Sequence, residues 1–408
     1  MNNRFRPLPV FILLAIVAAA CASQTGDGGT QPSSSDQVAT IVAMTLQALT
    51  PEVVAATPEA STSLLPHTFY YLADGSVFRM ERDGKTVTQL TFETVNVTGY
   101  DVSLVDGSVA YVANNQLLLV NADGSNRRVL VDGGPVSDLS RIYSPVFSPD
   151  GQTIAYAHHG LSQYDLSTGQ SVLRLGNQWV DTGTEQLYPL ELYWPEKYSP
   201  DGTKLIVKLG YLEGISMAIY DPVNATMVRL TGKEREDEDF CYTACGGNDI
   251  EWLADSSGFY SANSQNDISS AAGGLWKVDA VTGAVTTLIS FFDSGDATIN
   301  FPAEPHLAPN GRLYFFFLNY KESAGYFDRA PLQLVRSAPD GVTGRITLRP
   351  DTFELMNEAL WAPDASLVVV AFAPTQDVYD GGQAEVVYLD SRPNVVLTTF
   401  AQQMKWGP

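Results

Sequence analysis

The chain has 408 residues, of which 45% are hydrophobic and 17% charged, so it is not disordered and we expect a globular body. Its formal net charge of −22 means that the average surface repels nucleic acid and anionic lipid, which leaves a cationic peptide, a metal ion or a neutral glycan as partner. Abundant Gly, Pro, Tyr and Phe favour short strands joined by tight turns.

Residues 1–21 have the features of an export signal: two arginines, an apolar run and small residues before Cys21. The run is too short to cross a bilayer, which takes about 20 residues. The string VAAAC at Val17–Cys21 resembles the lipobox of bacterial lipoproteins, which implies a lipid on Cys21. Ordinary cleavage after Ala20 is the alternative. We therefore expect a protein anchored to the extracytoplasmic face of a bacterial membrane.

Residues 22–65 are rich in Ser, Thr, Pro and Ala and predict a flexible tether. Within it, residues 36–49 place apolar side chains at helical spacing and indicate a short amphipathic helix. Such a helix needs a membrane surface, a partner or further copies to persist in water. A nascent helix without a role is the alternative.

A repeated phrase organises residues 66–408. It is clearest as SPVFSPDGQTIAYAHHG from Ser144 and EKYSPDGTKLIVKLG from Glu196. Weaker copies begin at Ile250, Glu304 and Glu358, roughly 50 to 55 residues apart, and this period suits a four-stranded propeller blade. The prediction is an all-β chain folded as a β-propeller.

Further copies lie at both ends of this body. One full blade begins at Val97, three strands of another begin at His67, and Met404–Pro408 looks like a first strand without its followers. We expect the C-terminal strand to complete the first blade, because closure removes an exposed sheet edge. The count is then seven blades, or six or eight if one copy is misread.

The phrase FSPDG followed by an IAY-like strand resembles the propeller repeat of the TolB-like superfamily, over residues 66–408. The resemblance implies the propeller fold but not one function, because the superfamily includes protein binders, substrate-gating domains and a few lyases. The SPDG residues themselves are turn formers: Asp150 and Asp201 cap the turn, and Gly151 and Gly202 accept positive φ.

Connections between second and third strands, and between blades, lie on one face of a propeller, and here they are long. Binding residues are commonly found on long loops of a rigid scaffold. We therefore predict a ligand site on this long-loop face. The candidates are Trp179, Tyr193, Trp194, Asp237, Asp239, Tyr242, Tyr326, Asp328, Arg329, Asp377, Tyr379 and Asp380. The aromatic loop 176–195 suits a sugar or an apolar peptide side chain, and packing beneath the loop is the alternative.

Cys241 and Cys245 fall in one of these loops, after an acidic run. In an exported protein they predict a disulfide, with a metal site as the weaker alternative. The acidic run lacks the spacing of a calcium loop, and no cofactor or metal is expected.

No GxSxG elbow, HExxH pair or phosphate-binding glycine loop is present. Lyases of similar fold use clustered histidines with manganese, whereas His67 and His306 fall at different blade positions. We therefore expect a binding or scaffold module for a protein, peptide or glycan, without catalysis. The alternatives are a metal-dependent polysaccharide lyase and an accessory domain to a separate hydrolase.

Overall fold

The computed structural model describes residues 63–137, 139–181, 183, 187–212, 214–230, 249–262, 274–293, 295, 297–321, 329 and 331–408. Cys21, the predicted amphipathic segment, Cys241 and Cys245 lie outside these residues. Leu65, which the sequence assigns to the tether, is buried in the core. No helix in the described part of the chain is long and apolar enough to cross a membrane.

The regular elements of the described residues are β-strands, which confirms the all-β prediction. The first are β1 Phe69–Ala73, β2 Ser76–Met80, β3 Val87–Gln89, β4 Gly99–Val102, β5 Val109–Ala113, β6 Gln116–Val120, β7 Arg128–Asp132, β8 Tyr143–Phe147, β9 Thr153–Ala157, β10 Gly160–Asp165, β11 Gln170–Gly176, β12 Gln178–Asp181, β13 Leu187–Tyr198, β14 Leu205–Tyr211 and β15 Gly214–Asp221. The others are β16 Thr226–Arg229, β17 Asp249–Trp252, β18 Gly258–Ala262, β19 Gly274–Asp279, β20 Val285–Ser290, β21 Phe292–Asp293, β22 Thr298–Leu307, β23 Leu313–Lys321, β24 Leu332–Ser337, β25 Ile346–Phe353, β26 Met356–Trp361, β27 Leu367–Phe372, β28 Gly382–Tyr388 and β29 Val395–Trp406.

Consecutive strands pair antiparallel into four-stranded units, which we number as blades. Blade 1 is the end of β29 with β1, β2 and β3; blade 2 is β4–β7; blade 3 is β8–β11; blade 4 is β13–β16; blade 5 is β17–β20; blade 6 is β22–β25; and blade 7 is β26–β28 with the start of β29. Short strands extend two units, because β12 pairs with β13 and β21 with β22.

The last strand, β29, belongs to two blades. Its first half pairs with β28, and its second half pairs with β1, where Trp406 lies opposite Phe69. Trp406 Nε1 donates a 2.7 Å hydrogen bond to the carbonyl of Trp361, and Lys405 forms a 2.9 Å ion pair with Asp101. This pairing is the one that the predicted closure requires.

Apolar side chains between blades form the core. The described residues contain seven buried clusters, each of which joins two consecutive blades. One of them brings Tyr71 of blade 1 against Val369 of blade 7. Every blade therefore covers both faces of its sheet with its two neighbours, as a propeller does.

The SPDG turns adopt the predicted geometry. Gly151 and Gly202 have φ of 68° and 72°, and the Gln152 amide donates a 3.0 Å hydrogen bond to Asp150 Oδ1. The pKa of Asp150 lies below its usual value, mainly because its carboxylate accepts a hydrogen bond from the Ser148 hydroxyl. These residues thus have the structural role that the sequence predicted. The turns lie on the face opposite the long loops, which we call the turn face.

Carboxylates on the innermost strands connect successive blades. Asp249 accepts a 2.9 Å hydrogen bond from the Glu304 amide, and Glu304 accepts one of 3.1 Å from the Ala359 amide. Glu358 accepts one from the Met404 amide at the closing strand. Burial raises the pKa of the Glu358 carboxyl to about 7, against the opposing effects of the Met404 amide and Lys405.

The raised pKa of Glu358 predicts a pH dependence of stability. Between its ordinary value of 4.5 and about 7, the folded chain binds more protons at this site than the unfolded chain. The contribution of Glu358 to the unfolding free energy therefore falls as pH rises through that window. In Glu358→Gln we expect the decrease in Tm between pH 4.5 and 8 to be smaller than in the unmodified protein. Exposed Glu354→Gln is the control, and an equal pH profile in all three proteins would contradict the prediction.

Candidate functional site

Several predicted site residues lie outside the described part of the chain. These are Asp237, Asp239, Tyr242, Tyr326 and Asp328, together with the predicted disulfide partners Cys241 and Cys245. Their roles stay predictions.

The predicted loop 176–195 is mostly strand, which corrects the sequence interpretation. β13 extends the innermost strand of blade 4 beyond the blade, and β12 folds back on it. Tyr193 is only 4% exposed and packs in the core beside blade 3, so its ring is not on the accessible surface. Trp179 and Trp194 are half-buried on this hairpin, and the Trp194 ring contacts Tyr143 at a centroid distance of 6.2 Å.

Arg329 and Tyr379 meet on blades 6 and 7, with the guanidinium 5.1 Å from the ring centroid. Arg329 is 6% exposed, and it donates a 2.8 Å hydrogen bond to Asn357 Oδ1 and another to the carbonyl of Val378. Its donors thus hold the loop of blade 7 in place. Asp377, Tyr379 and Asp380 remain exposed on that loop.

A cavity of about 740 Å³ opens on the long-loop face between blades 1, 2 and 3. Its lining residues come from the segment before β4, the β5–β6 hairpin and the segment before β8: Val95, Asn96, Thr98, Val112, Asn114, Asn115, Val136, Arg141, Ile142 and Tyr143. The volume lies in the range of ligand-binding pockets, about 300–1,000 Å³. We take this cavity as the candidate site.

The first wall of the cavity, residues 133–137 and 139–142, is held by Asn115 at the β5–β6 turn. The Asn115 Nδ2 group donates 3.1 Å hydrogen bonds to the carbonyls of Gly134 and Ser140. Its Oδ1 accepts a 2.8 Å hydrogen bond from the Ile142 amide. Asn115 is buried, with φ of 56°, a conformation that asparagine tolerates better than most residues. One side chain thus sets the path of this wall.

The second wall, residues 91–98, is held by Glu93. Arg127 donates two hydrogen bonds to its carboxylate, of 2.6 and 3.0 Å, and the Tyr111 hydroxyl donates a third of 2.7 Å. The bond from Arg127 is the main reason that the pKa of Glu93 is lowered. The Val97 amide also donates a 2.9 Å hydrogen bond to the carbonyl of Gly75, which fixes the end of the wall to blade 1.

The cavity combines apolar and polar groups. Val95 and Val136 supply aliphatic surface, and they remain 44% and 61% exposed. Phe92 and Leu139, in the same two segments, are also exposed. The side chains of Asn96, Thr98 and Asn114 offer amide and hydroxyl groups. An apolar surface with a few polar groups is suited to binding.

Histidines of different blades do not contact one another. His67 packs against Trp406, and His158 and His159 contact each other at the β9–β10 turn. His306 bonds Glu251 at 2.8 Å on an innermost strand. Among the described residues, no group of three histidine, cysteine, aspartate or glutamate side chains is placed to hold a metal.

The cavity was not predicted from the sequence. Its walls contain no aromatic cluster and no charge run, and they are shorter than the long loops that supplied the predicted site residues. The one available signal was the string VDGGPVSDLSRIYS from Val131, a Gly- and Pro-containing connection of more than tight-turn length.

No family model matches the chain, and no curated protein matches it. Among solved structures, a putative TolB from Agrobacterium tumefaciens is 17% identical, with a TM-score of 0.41, over 76% of this chain and 98% of that chain. A prolyl endopeptidase is 15% identical, with a TM-score of 0.50, over 83% of this chain and 50% of that chain. An oligogalacturonate lyase in complex with manganese is 12% identical, with a TM-score of 0.49, over 80% and 82%.

At such identities the likeness shows the fold alone. The propeller predicted from the repeats is confirmed, and TolB is among the proteins of similar structure. This chain spans half the length of the endopeptidase. Function must therefore be argued from the cavity itself.

The role of Asn115 can be tested with Asn115→Asp. The aspartate carboxylate can still accept the hydrogen bond from the Ile142 amide. It cannot donate to the carbonyls of Gly134 and Ser140, so both of those hydrogen bonds are lost. We expect the unfolding free energy to fall by about 2 kcal/mol and amide hydrogen exchange of residues 139–142 to accelerate.

Asn114→Asp is the matched control, because Asn114 is exposed and has a similar φ of 50°. Its unfolding free energy should change by less than about 0.5 kcal/mol. Equal effects of the two substitutions would contradict the assigned role.

Proposed function

We propose that this propeller is a non-catalytic binding module that holds an extended segment of a protein partner in the cavity between blades 1, 2 and 3. The observation that carries this proposal is an open cavity with aliphatic walls, uncommitted amide groups and exposed apolar rims. Main-chain groups of an extended peptide can bond Asn96 and Asn114, while its side chains cover Val95 and Val136.

The openness of the cavity favours a polypeptide over a small molecule. Small-molecule pockets enclose about 70–90% of their ligand. Here two lining residues, Val95 and Val136, stay exposed, and so do Phe92 and Leu139 in the same two segments. A ligand that continues beyond the cavity covers that surface.

We further propose that the module is exported and held by a lipid on Cys21. The signal-like residues 1–21 and the odd number of cysteines support this. A tether of about forty residues would let the propeller reach partners near the membrane surface. The first described residues pack on the turn face, where Leu65 bonds Arg82, and the cavity opens on the other face.

Binding through the cavity predicts a selective loss on Val136→Asp. Peptides are first selected on the full chain from a random displayed library, and their Kd is measured by fluorescence anisotropy. We expect Val136→Asp to raise Kd at least about tenfold, because it places a desolvated charge against the ligand.

Leu104→Asp is the matched control, because Leu104 is 58% exposed, close to the 61% of Val136, but lies in a turn of blade 2 on the turn face. Its Kd should stay unchanged. Selection of no peptide, or equal losses in both variants, would contradict the proposal.

Lipid anchoring predicts a change of fractionation. The full chain with Cys21→Ser should leave the membrane fraction and appear in the soluble extracytoplasmic fraction, because the anchor is lost. Cys241→Ser should fractionate like the unmodified chain. Retention of the Cys21→Ser protein in the membrane fraction would show that something other than a lipid on Cys21 holds it.

A further inference from the structure

Arg141 is the single charged side chain among the described residues that line the cavity. The other lining residues are aliphatic, amide or hydroxyl-bearing. In the described part of the chain, Arg141 forms no ion pair, whereas Arg127 at the second wall is bound to Glu93. A guanidinium presents its N–H groups in a planar fork that matches the two oxygens of a carboxylate.

Tyr143 adds a second donor on the same wall. It lies two residues after Arg141 at the start of β8, and both line the cavity. Burial raises the pKa of the Tyr143 hydroxyl, and the positive charge of Arg141 opposes that rise. The structure gives this hydroxyl no hydrogen-bond partner among the described residues.

Because both donors line the same cavity, we infer that it recognises a carboxylate of the bound segment, through the guanidinium of Arg141 and the hydroxyl of Tyr143. The inference rests on the proposed function and names the chemistry of the ligand. The carboxylate belongs to an aspartate or glutamate side chain or to a free C-terminus, which share the same chemistry. The aliphatic wall at Val136 then contacts the neighbouring apolar side chain of the ligand.

The net charge of −22 does not oppose this recognition at short range. Charges are screened over about 8 Å at physiological ionic strength, so the nearest groups dominate inside the cavity. Of the described carboxylates near the walls, Glu93 is neutralised by its ion pair with Arg127, and Asp132 is exposed and does not line the cavity. Among the described lining residues, the charge nearest to a bound carboxylate is therefore the positive charge of Arg141.

The experiment combines selection with a double-mutant cycle. A random peptide library with free C-termini is selected on the full chain and, in parallel, on Arg141→Gln. We expect the peptides selected on the unmodified chain to be enriched in Asp, Glu or a required free C-terminus, and this enrichment to disappear on Arg141→Gln.

The best peptide is then compared with two neutral versions, one with its acidic residue replaced by the amide and one with an amidated C-terminus. Arg141→Gln should raise the Kd of the carboxylate peptide about tenfold and leave the Kd of the relevant neutral peptide unchanged. The version that loses affinity identifies the source of the carboxylate. Arg141→Lys should give a smaller loss, because it keeps the charge without the fork.

Arg128→Gln is the control, because Arg128 is exposed on the outer strand β7 and its loss changes the net charge equally. It should bind like the unmodified chain. Peptides that require Val136 but ignore both Arg141 and the carboxylate would overturn this inference and leave the proposed function standing. Failure to select any peptide on the unmodified chain would overturn both.

Discussion

The structure depends on the need of each blade to cover two apolar sheet faces. Five buried residues in a row, as in β1 and β5, leave no strand face for solvent. A blade therefore needs a neighbour on each side, and a ring gives every blade two. β29 pairs with both β28 and β1, and the apolar cluster that contains Tyr71 and Val369 lies between these two blades. Carboxylates such as Glu358 add hydrogen bonds from one blade to the next.

Packing between the blades stabilises the fold. The connections on the long-loop face are therefore not needed for the core and can form a site. The cavity is lined by the β5–β6 hairpin of blade 2, by the connections before and after that blade, and by Tyr143 at the start of blade 3. Its two walls are held by single side chains, Asn115 for one and Glu93 for the other, each with three hydrogen bonds. Polar groups that remain uncommitted, such as Asn114 and Arg141, are thereby presented at fixed positions. A preformed surface of this kind reduces the ordering cost of binding.

The fold was predictable because its signals are local and repeated. The period of the SPDG phrase, its positive-φ glycines and the unfinished strand at Met404–Pro408 all depend on short stretches of sequence. Which candidate side chains reach the surface was not predictable, because burial is set by neighbours distant in the chain. Tyr193 and Arg329 were predicted to face a ligand, yet one packs beside blade 3 and the other holds the loop of blade 7. Residues 176–195 were predicted as a loop, yet β12 and the start of β13 within that range pair as strands. The sequence offered no reason to predict a cavity at these walls, because separate segments of the chain line it together only in the folded protein.

The proposed function places the partner in the cavity rather than on the aromatic hairpin or the turn face. Hydrogen exchange of the full chain, measured with and without a saturating selected peptide, distinguishes these three surfaces. We expect slowed exchange in residues 91–98 and 133–142, with no change in β12 or in the turn that contains Leu104. Protection confined to β12 and β13, or to the turn face, would contradict it.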